Sequence, residues 1–318
     1  MHIADEQIHP ELRKQGRSIR KHFRFKDAAS FAATQQKLNI VKPFMRPKGF
    51  KIERVTIRTE DNPHLNLIIA RSKKTRPDAT GLLWLHGGGF AIGTPEQDYG
   101  YMQKFLCAAN CVIVAPDYRL SLNDPYPAAL QDAYETLLWM KKNASSLGIR
   151  PDQLFVGGDS AGGGLTAAVS LLARDLKKVN IAFQMPLFPM LDDRMITPSS
   201  QDNNAPVWDS QANQAAWSLY LKNLEEVPAY AAPARATDFR GLPPTYSFVG
   251  TIEPFYNETV AYIRNLQEAG VVASLDEYNG AFHAFDLLFP KTDLAKQAVI
   301  RYLAAFIYAT ETYFAPQP

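Results

Sequence analysis

Three short stretches carry the residues whose types and spacing could do chemistry. Gly158-Asp159-Ser160-Ala161-Gly162 fits the pattern G-x-S-x-G. It directly follows an apolar run read as a strand, 154–158, and directly precedes a helical run, Leu165 to Leu176. A serine between strand and helix in this way is a nucleophile elbow. The turn is tight and strained, so small residues are needed on both flanks. The hydroxyl is pushed out at the strand's C-terminal end. The Ala161 N–H, at the helix start, then faces an oxygen that becomes negative during attack on a carbonyl. Gly162, Gly164 and Ala167 also match the dinucleotide pattern G-x-G-x-x-A. They lie inside the helix rather than in the turn before it, and the next strand ends in Pro186-Leu187 with no acidic residue. The dinucleotide reading is therefore rejected.

The second stretch is His86-Gly87-Gly88-Gly89-Phe90, after the third strand candidate. Three consecutive glycines are entropically costly and imply a close approach of backbone to something. Acyl transfer needs N–H donors about 3 Å from the developing oxyanion, and a Gly-rich loop after the third strand is a known second source of them. No G-K-[ST] is present, which disfavours a phosphate loop. His86 reads as a loop-orienting hydrogen-bond partner, since a base is better supplied elsewhere.

The third stretch, Asn279 to Phe285, holds His283 just past the last strand candidate. The order Ser…Asp/Glu…His requires an acid between residues 160 and 283. Glu253 is the first acid after the strand 245–249, and Pro254 stiffens the turn that would aim it. A carboxylate there would hold His283 in the right tautomer and stabilise its cation. Asp276 and Glu277, on the strand before the histidine, are the rival orienters.

Elements must position these groups. Strand candidates fall at 51–57, 65–71, 81–86, 111–115, 154–158, 182–187, 245–249 and 273–278, and helix candidates at 98–109, 128–144, 161–177, 256–269 and 291–310. The first two strands alternate polar and apolar residues and read as an antiparallel edge pair; the later ones are uniformly apolar, as central parallel strands are. Residues 1–45, read as two helices, and 192–240 do not fit the alternation. Both are read as a helical cap on a single domain spanning 1–318, not as a second domain.

Composition narrows the function. The chain has 318 residues, 34 Lys+Arg and 32 Asp+Glu, a net charge of +2 that is too balanced for a protein built to grip nucleic acid. Only two cysteines occur, so a disulfide scaffold is excluded. Cys107 and Cys111, four apart, are expected on one face of a helix end as small buried apolar groups. No Cys/His/Asp/Glu cluster has ligand spacing, and no metal or other cofactor is expected. The first ten residues are polar and no run reaches 18 apolar residues, so the expectation is a soluble cytoplasmic protein without membrane insertion.

HGGGF at 86–90 together with GDSAGG at 158–163 resembles the hormone-sensitive-lipase-like family of α/β-hydrolases, which includes many microbial carboxylesterases. Asp117-Tyr118-Arg119-Leu120, Pro125 to Ala129 with Asp132, Gly241 to Pro244 and Ala281 to Phe285 extend the resemblance over about residues 50–310. It implies an α/β-hydrolase fold: an eight-stranded, mostly parallel sheet flanked by helices, with a cap from the N-terminus and the segment after the sixth strand. It also implies oxyanion donors on the backbone of Gly88, Gly89 and Ala161, and a triad of Ser160, Glu253 and His283. The activity implied is a serine carboxylesterase acting on small esters of short acyl chain through an acyl-enzyme. An amidase or longer-chain lipase, and a non-catalytic small-ligand binding protein, are the alternatives. Two departures stand out. Glu253-Pro254-Phe255 replaces the family's usual Asp-Pro-Leu, and Ser121 to Asp124 replaces its usual Ala-Pro-Glu.

The basic run 13–26, with Ile19 and Phe23 four apart, is read as an amphipathic cap helix with a solvated basic face rather than a membrane or anion site. Trp208 and Trp217 either line an acyl pocket or anchor the cap. The edge strand 273–278 leaves room for a homodimer.

Overall fold

The computed structural model describes residues 1–22 and 25–318. Its strands are β1 (Phe50–Ile57), β2 (Leu65–Ser72), β3 (Ala79–Leu85), β4 (Cys111–Pro116), β5 (Ile149–Asp159), β6 (Phe183–Leu187), β7 (Thr245–Gly250) and β8 (Ala273–Tyr278). The helices are α1 (Pro10–His22), α2 (Ala28–Val41), α3 (Tyr99–Ala108), α4 (Ala128–Lys142), α5 (Ala144–Leu147), α6 (Ala161–Leu176), α7 (Ser210–Tyr220), α8 (Tyr256–Glu268), α9 (Phe285–Leu288) and α10 (Asp293–Thr312). One sheet runs in the order β1-β2-β4-β3-β5-β6-β7-β8. β1 and β2 are antiparallel to each other and β2 is antiparallel to β4; the remaining neighbours are parallel.

Burial follows position in the sheet. β3, β4, β6 and β7 are buried along their whole length, whereas the edge strands β1 and β8 are largely half-buried or exposed. Successive side chains of β3 go to opposite faces. Leu83 and Leu85 pack with the buried faces of α4 and α6, and Leu82 and Trp84 with those of α3 and α10. This two-sided burial fixes the register, since a slip by one residue would exchange the two faces.

The two irregular segments meet at Trp208. Its ring lies 5.7 Å from Phe25 and 6.0 Å from Phe31, which stack on each other at 4.5 Å just before and within α2. The first turns also reach the late chain: His9 N–H donates to Gly280 O at 2.8 Å, and the Ile3 N–H to Asn204 Oδ1 at 2.6 Å. The basic run is not wholly solvated, because Arg17 and Arg20 both pair with Asp5. Phe23, the second apolar residue of the expected stripe, lies outside the described residues.

Some expectations need correction. α3 ends at Ala108, so Cys107 is exposed on its last turn while Cys111 is buried at the start of β4. The turn at Ala109-Asn110 breaks the helical spacing that would have put both on one face. β5 begins at Ile149, not 154, because Ile149 pairs with Ala79 across an irregularity in register that Arg150-Pro151-Asp152 disguises as a turn. The helix expected over 128–144 stops at Lys142, and α5 follows as a separate turn ended by Gly148 at φ +67°. Among the described residues no helix is long and apolar enough to cross a membrane.

Candidate active site

Ser160 sits between β5 and α6 at φ +56° and ψ −119°, a conformation side chains other than glycine rarely take. The surroundings hold it there. Its N–H donates to Leu187 O, and its carbonyl accepts from the N–H groups of Gly164 and Met190, each at 3.0 Å. Gly162 is needed for the close crossing of α6 over β3: a Cβ there would lie 2.0 Å from Leu85 O.

His283 stands on the loop between β8 and α9, and Glu253 on the turn after β7. His283 Nε2 is 2.9 Å from Ser160 Oγ, and His283 Nδ1 is 2.5 Å from Glu253 Oε2. The other Glu253 oxygen accepts the Gly250 N–H at 2.8 Å, which pins the carboxylate end-on to the imidazole. The extra methylene relative to aspartate is thus taken up within the turn. Glu253 is wholly buried, and Ser160 and His283 each keep 4% exposure, enough to touch a ligand. The rivals lie elsewhere: Asp276 accepts from Arg301 and Tyr246, and Glu277 from Tyr256.

The glycine loop after β3 turns back on itself with Gly88 at φ +126° and Gly89 at φ +61°. A Cβ on Gly89 would come within 2.4 Å of the Trp208 ring. The N–H groups of Gly88, Gly89 and Ala161 donate to no described residue. His86 is buried, its ring stacked on Tyr118 at 4.1 Å, and its Nδ1 lies 2.8 Å from Gly87 O. Tyr118 O–H in turn donates to His86 O at 2.7 Å. Burial lowers the His86 pKa to about 4, which keeps the ring neutral at pH 7. Tyr118 is itself placed by its neighbour Arg119, which forms several hydrogen bonds with the wholly buried Asp132.

Behind the serine lies a buried acid pair that sequence reading missed. The buried carboxyl groups of Asp98 and Asp159 are neighbours, and Trp84 Nε1 donates to Asp98 Oδ2 at 2.8 Å. Burial pushes both carboxyls up, Asp98 to about 7 and Asp159 well above its usual range. In the unfolded chain both ionise near the ordinary aspartate value of 3.8. Above pH 4 the unfolded chain loses protons that the folded one keeps, so stability falls as pH rises. The slope is about 1.4 kcal/mol per pH unit for each group kept protonated, and for Asp98 it levels off above pH 7. Asp159→Asn keeps a donor toward Asp98 and cannot ionise in either state. Its Tm should fall less than that of the native chain between pH 5 and 8; parallel curves would mean that Asp159 is ionised in the fold.

A family profile described as alpha/beta hydrolase fold matches residues 82–287. The chain belongs to the hormone-sensitive-lipase-like family of α/β-hydrolases. Among curated relatives of this α/β-hydrolase, carboxylesterase NlhH of Mycobacterium tuberculosis is 28% identical over 95% of this chain and 96% of that protein. Esterase LipI of the same species is 31% identical over 65% of this chain and 66% of its own length. Of the solved structures, esterase LipW from Mycobacterium marinum superposes with a TM-score of 0.86 at 30% identity, covering 96% of this chain and 97% of that one. A bacterial heroin esterase gives a TM-score of 0.85 at 29% identity, covering 96% and 98%. This α/β-hydrolase is thus a carboxylic ester hydrolase.

Proposed function

We propose that the protein is a serine carboxylesterase of small, short-acyl esters, with Ser160, His283 and Glu253 as its triad. The observation that carries this reading is the unbroken line of contacts Ser160 Oγ–His283 Nε2 and His283 Nδ1–Glu253 Oε2, at 2.9 and 2.5 Å. Glu253 accepts a hydrogen bond from Nδ1–H and so leaves Nε2 free to accept from the serine. Ser160 Oγ attacks the ester carbonyl as its proton passes to His283. The carbonyl oxygen becomes negative and is met by the N–H groups of Gly88, Gly89 and Ala161. His283 then returns the proton to the departing alcohol oxygen, leaving an acyl-enzyme. Water repeats the sequence and frees the acid.

Residues 1–45 and 192–240 act in this reading as a cap on the single domain. Support comes from Trp208, which touches both Phe31 of α2 and the oxyanion loop at Gly89. The rings of Phe188, Trp208 and Phe255 all lie within 6.1 Å of His283, a crowding that favours short chains. The test is hydrolysis of p-nitrophenyl esters from acetate to decanoate beside matched p-nitroanilides. Rates that peak at acetate to hexanoate and exceed the anilides are expected. A peak at decanoate would make it a lipase-like enzyme, equal anilide turnover an amidase, and background rates on every substrate would end the esterase reading.

A further inference from the structure

Beside the candidate site lies a cluster of buried polar groups that the proposed reaction does not use. Both amide atoms of Asn213 and the indole Nε1 atoms of Trp208 and Trp217 have no hydrogen-bond partner among the described residues. All three side chains are more than nine-tenths buried: Asn213 is fully enclosed, and Trp208 and Trp217 keep 4% and 3% exposure. A buried amide with no partner costs the full desolvation of its donor and acceptor, and native folds seldom leave one so.

The cluster has a definite place. Asn213, Ala216, Trp217 and Tyr220 share the buried face of α7 at spacings of three and four. That face lies on the glycine loop: a Cβ at Gly89 would meet Ala216 at 3.0 Å and Trp208 at 2.4 Å. Trp217 lies 5.5 Å from Phe90, the next loop residue, and Tyr220 stacks on Phe90 at 4.0 Å. Asn213 precedes Ala216 by one turn, between it and Trp208 at the helix start, and helical side chains lean toward that end. Asn213 therefore sits on the face of α7 that packs against Gly89.

Two portions of an ester extend from a carbonyl held at Gly89. The leaving oxygen must face His283 Nε2, which protonates it. The α7 face flanks the oxyanion loop instead, so it is the acyl portion that meets it. We propose that this acyl portion carries a hydrogen-bonding oxygen, and that Asn213, helped by the indole N–H groups of Trp208 and Trp217, selects short hydroxyacyl esters over plain alkanoates. A hydroxyl suits the cluster because it can donate to Asn213 Oδ1 while accepting from Nδ2 or an indole N–H. Sites built to bond a substrate hydroxyl discriminate strongly against the analogue lacking it.

This inference rests on the esterase reading, and the experiment separates the two. Hydrolysis of ethyl butanoate and of each enantiomer of ethyl 3-hydroxybutanoate is followed by pH-stat. The native chain is expected to show kcat/KM roughly tenfold or more higher for one hydroxy enantiomer than for butanoate. Asn213→Leu, nearly the same shape without the amide, should bring that ratio to about one or below. Trp217→Phe keeps an aromatic ring without the N–H and should lower it by a smaller factor, which covers the case in which the leucine variant does not fold. A ratio of two rates from one preparation does not depend on how much of it is active. Turnover of butanoate with no hydroxy preference, or a preference unmoved in the folded variants, overturns the hydroxyacyl proposal alone. No turnover of any of these esters, or of the p-nitrophenyl series, overturns the esterase reading as well.

Discussion

Ser160→Ala is expected to reduce kcat on p-nitrophenyl esters by about 10⁵- to 10⁶-fold, as loss of the nucleophile does in other serine hydrolases. The fold should survive the change. Alanine keeps the Cβ that the backbone at φ +56° already accommodates, and the hydroxyl's partner in the site is His283 Nε2. The residual rate should still exceed that of water by about 10³- to 10⁴-fold, because the N–H groups around the carbonyl oxygen remain. The measurement is kcat in parallel with Tm and with mass-spectrometric detection of an acyl adduct. Unchanged Tm, no adduct and the stated loss would fix the role of Ser160. A variant retaining a tenth of native turnover would remove Ser160 from the chemistry.

Glu253→Gln is the second large effect, a fall in kcat of up to about 10⁴-fold with KM little changed. The direction follows from the two bonds Glu253 makes. The glutamine carbonyl would keep the Gly250 N–H, leaving its NH₂ aimed at His283 Nδ1. Nδ1 must then accept, so the ring proton moves to Nε2, and the imidazole can no longer take the serine proton. Asp276→Asn and Glu277→Gln serve as controls, since their carboxylates are engaged by Arg301 and Tyr246, and by Tyr256. A Glu253→Gln variant within threefold of native kcat, beside a strongly impaired Asp276 or Glu277 variant, would transfer the orienting role.

The residues of the proposed triad were legible in the sequence because each sits where a regular element ends. A buried strand running into Gly-x-Ser-x-Gly and then a helix leaves few geometries for Ser160, and strand ends likewise expose Glu253 and His283. The parallel core was legible for a similar reason, since β3 to β7 need both faces apolar. Asp98 was not legible. It lies in an acidic 3-10 turn that reads as surface, and only the folding of Trp84 and Asp159 against it makes it a buried carboxyl. Asn213 was missed because it is one polar residue of a segment read only as cap, and only packing against Gly89 reveals which face of α7 is inside. Trp208 was noticed, but its contacts with both the loop and α2 are long-range and carry no local signature. The cysteine pair was misread for the converse reason: spacing was taken as helical across a turn.

The bond from His9 to Gly280 joins points about 270 residues apart. On a ribosome moving at about 5 to 20 residues per second, the early segment must wait roughly 15 to 55 s before its partner emerges. Through that interval α1 has no docking surface at Gly280 or Phe282, and the serine has no histidine. With the proposed triad, the nascent chain thus lacks its base until nearly nine-tenths of it has been made.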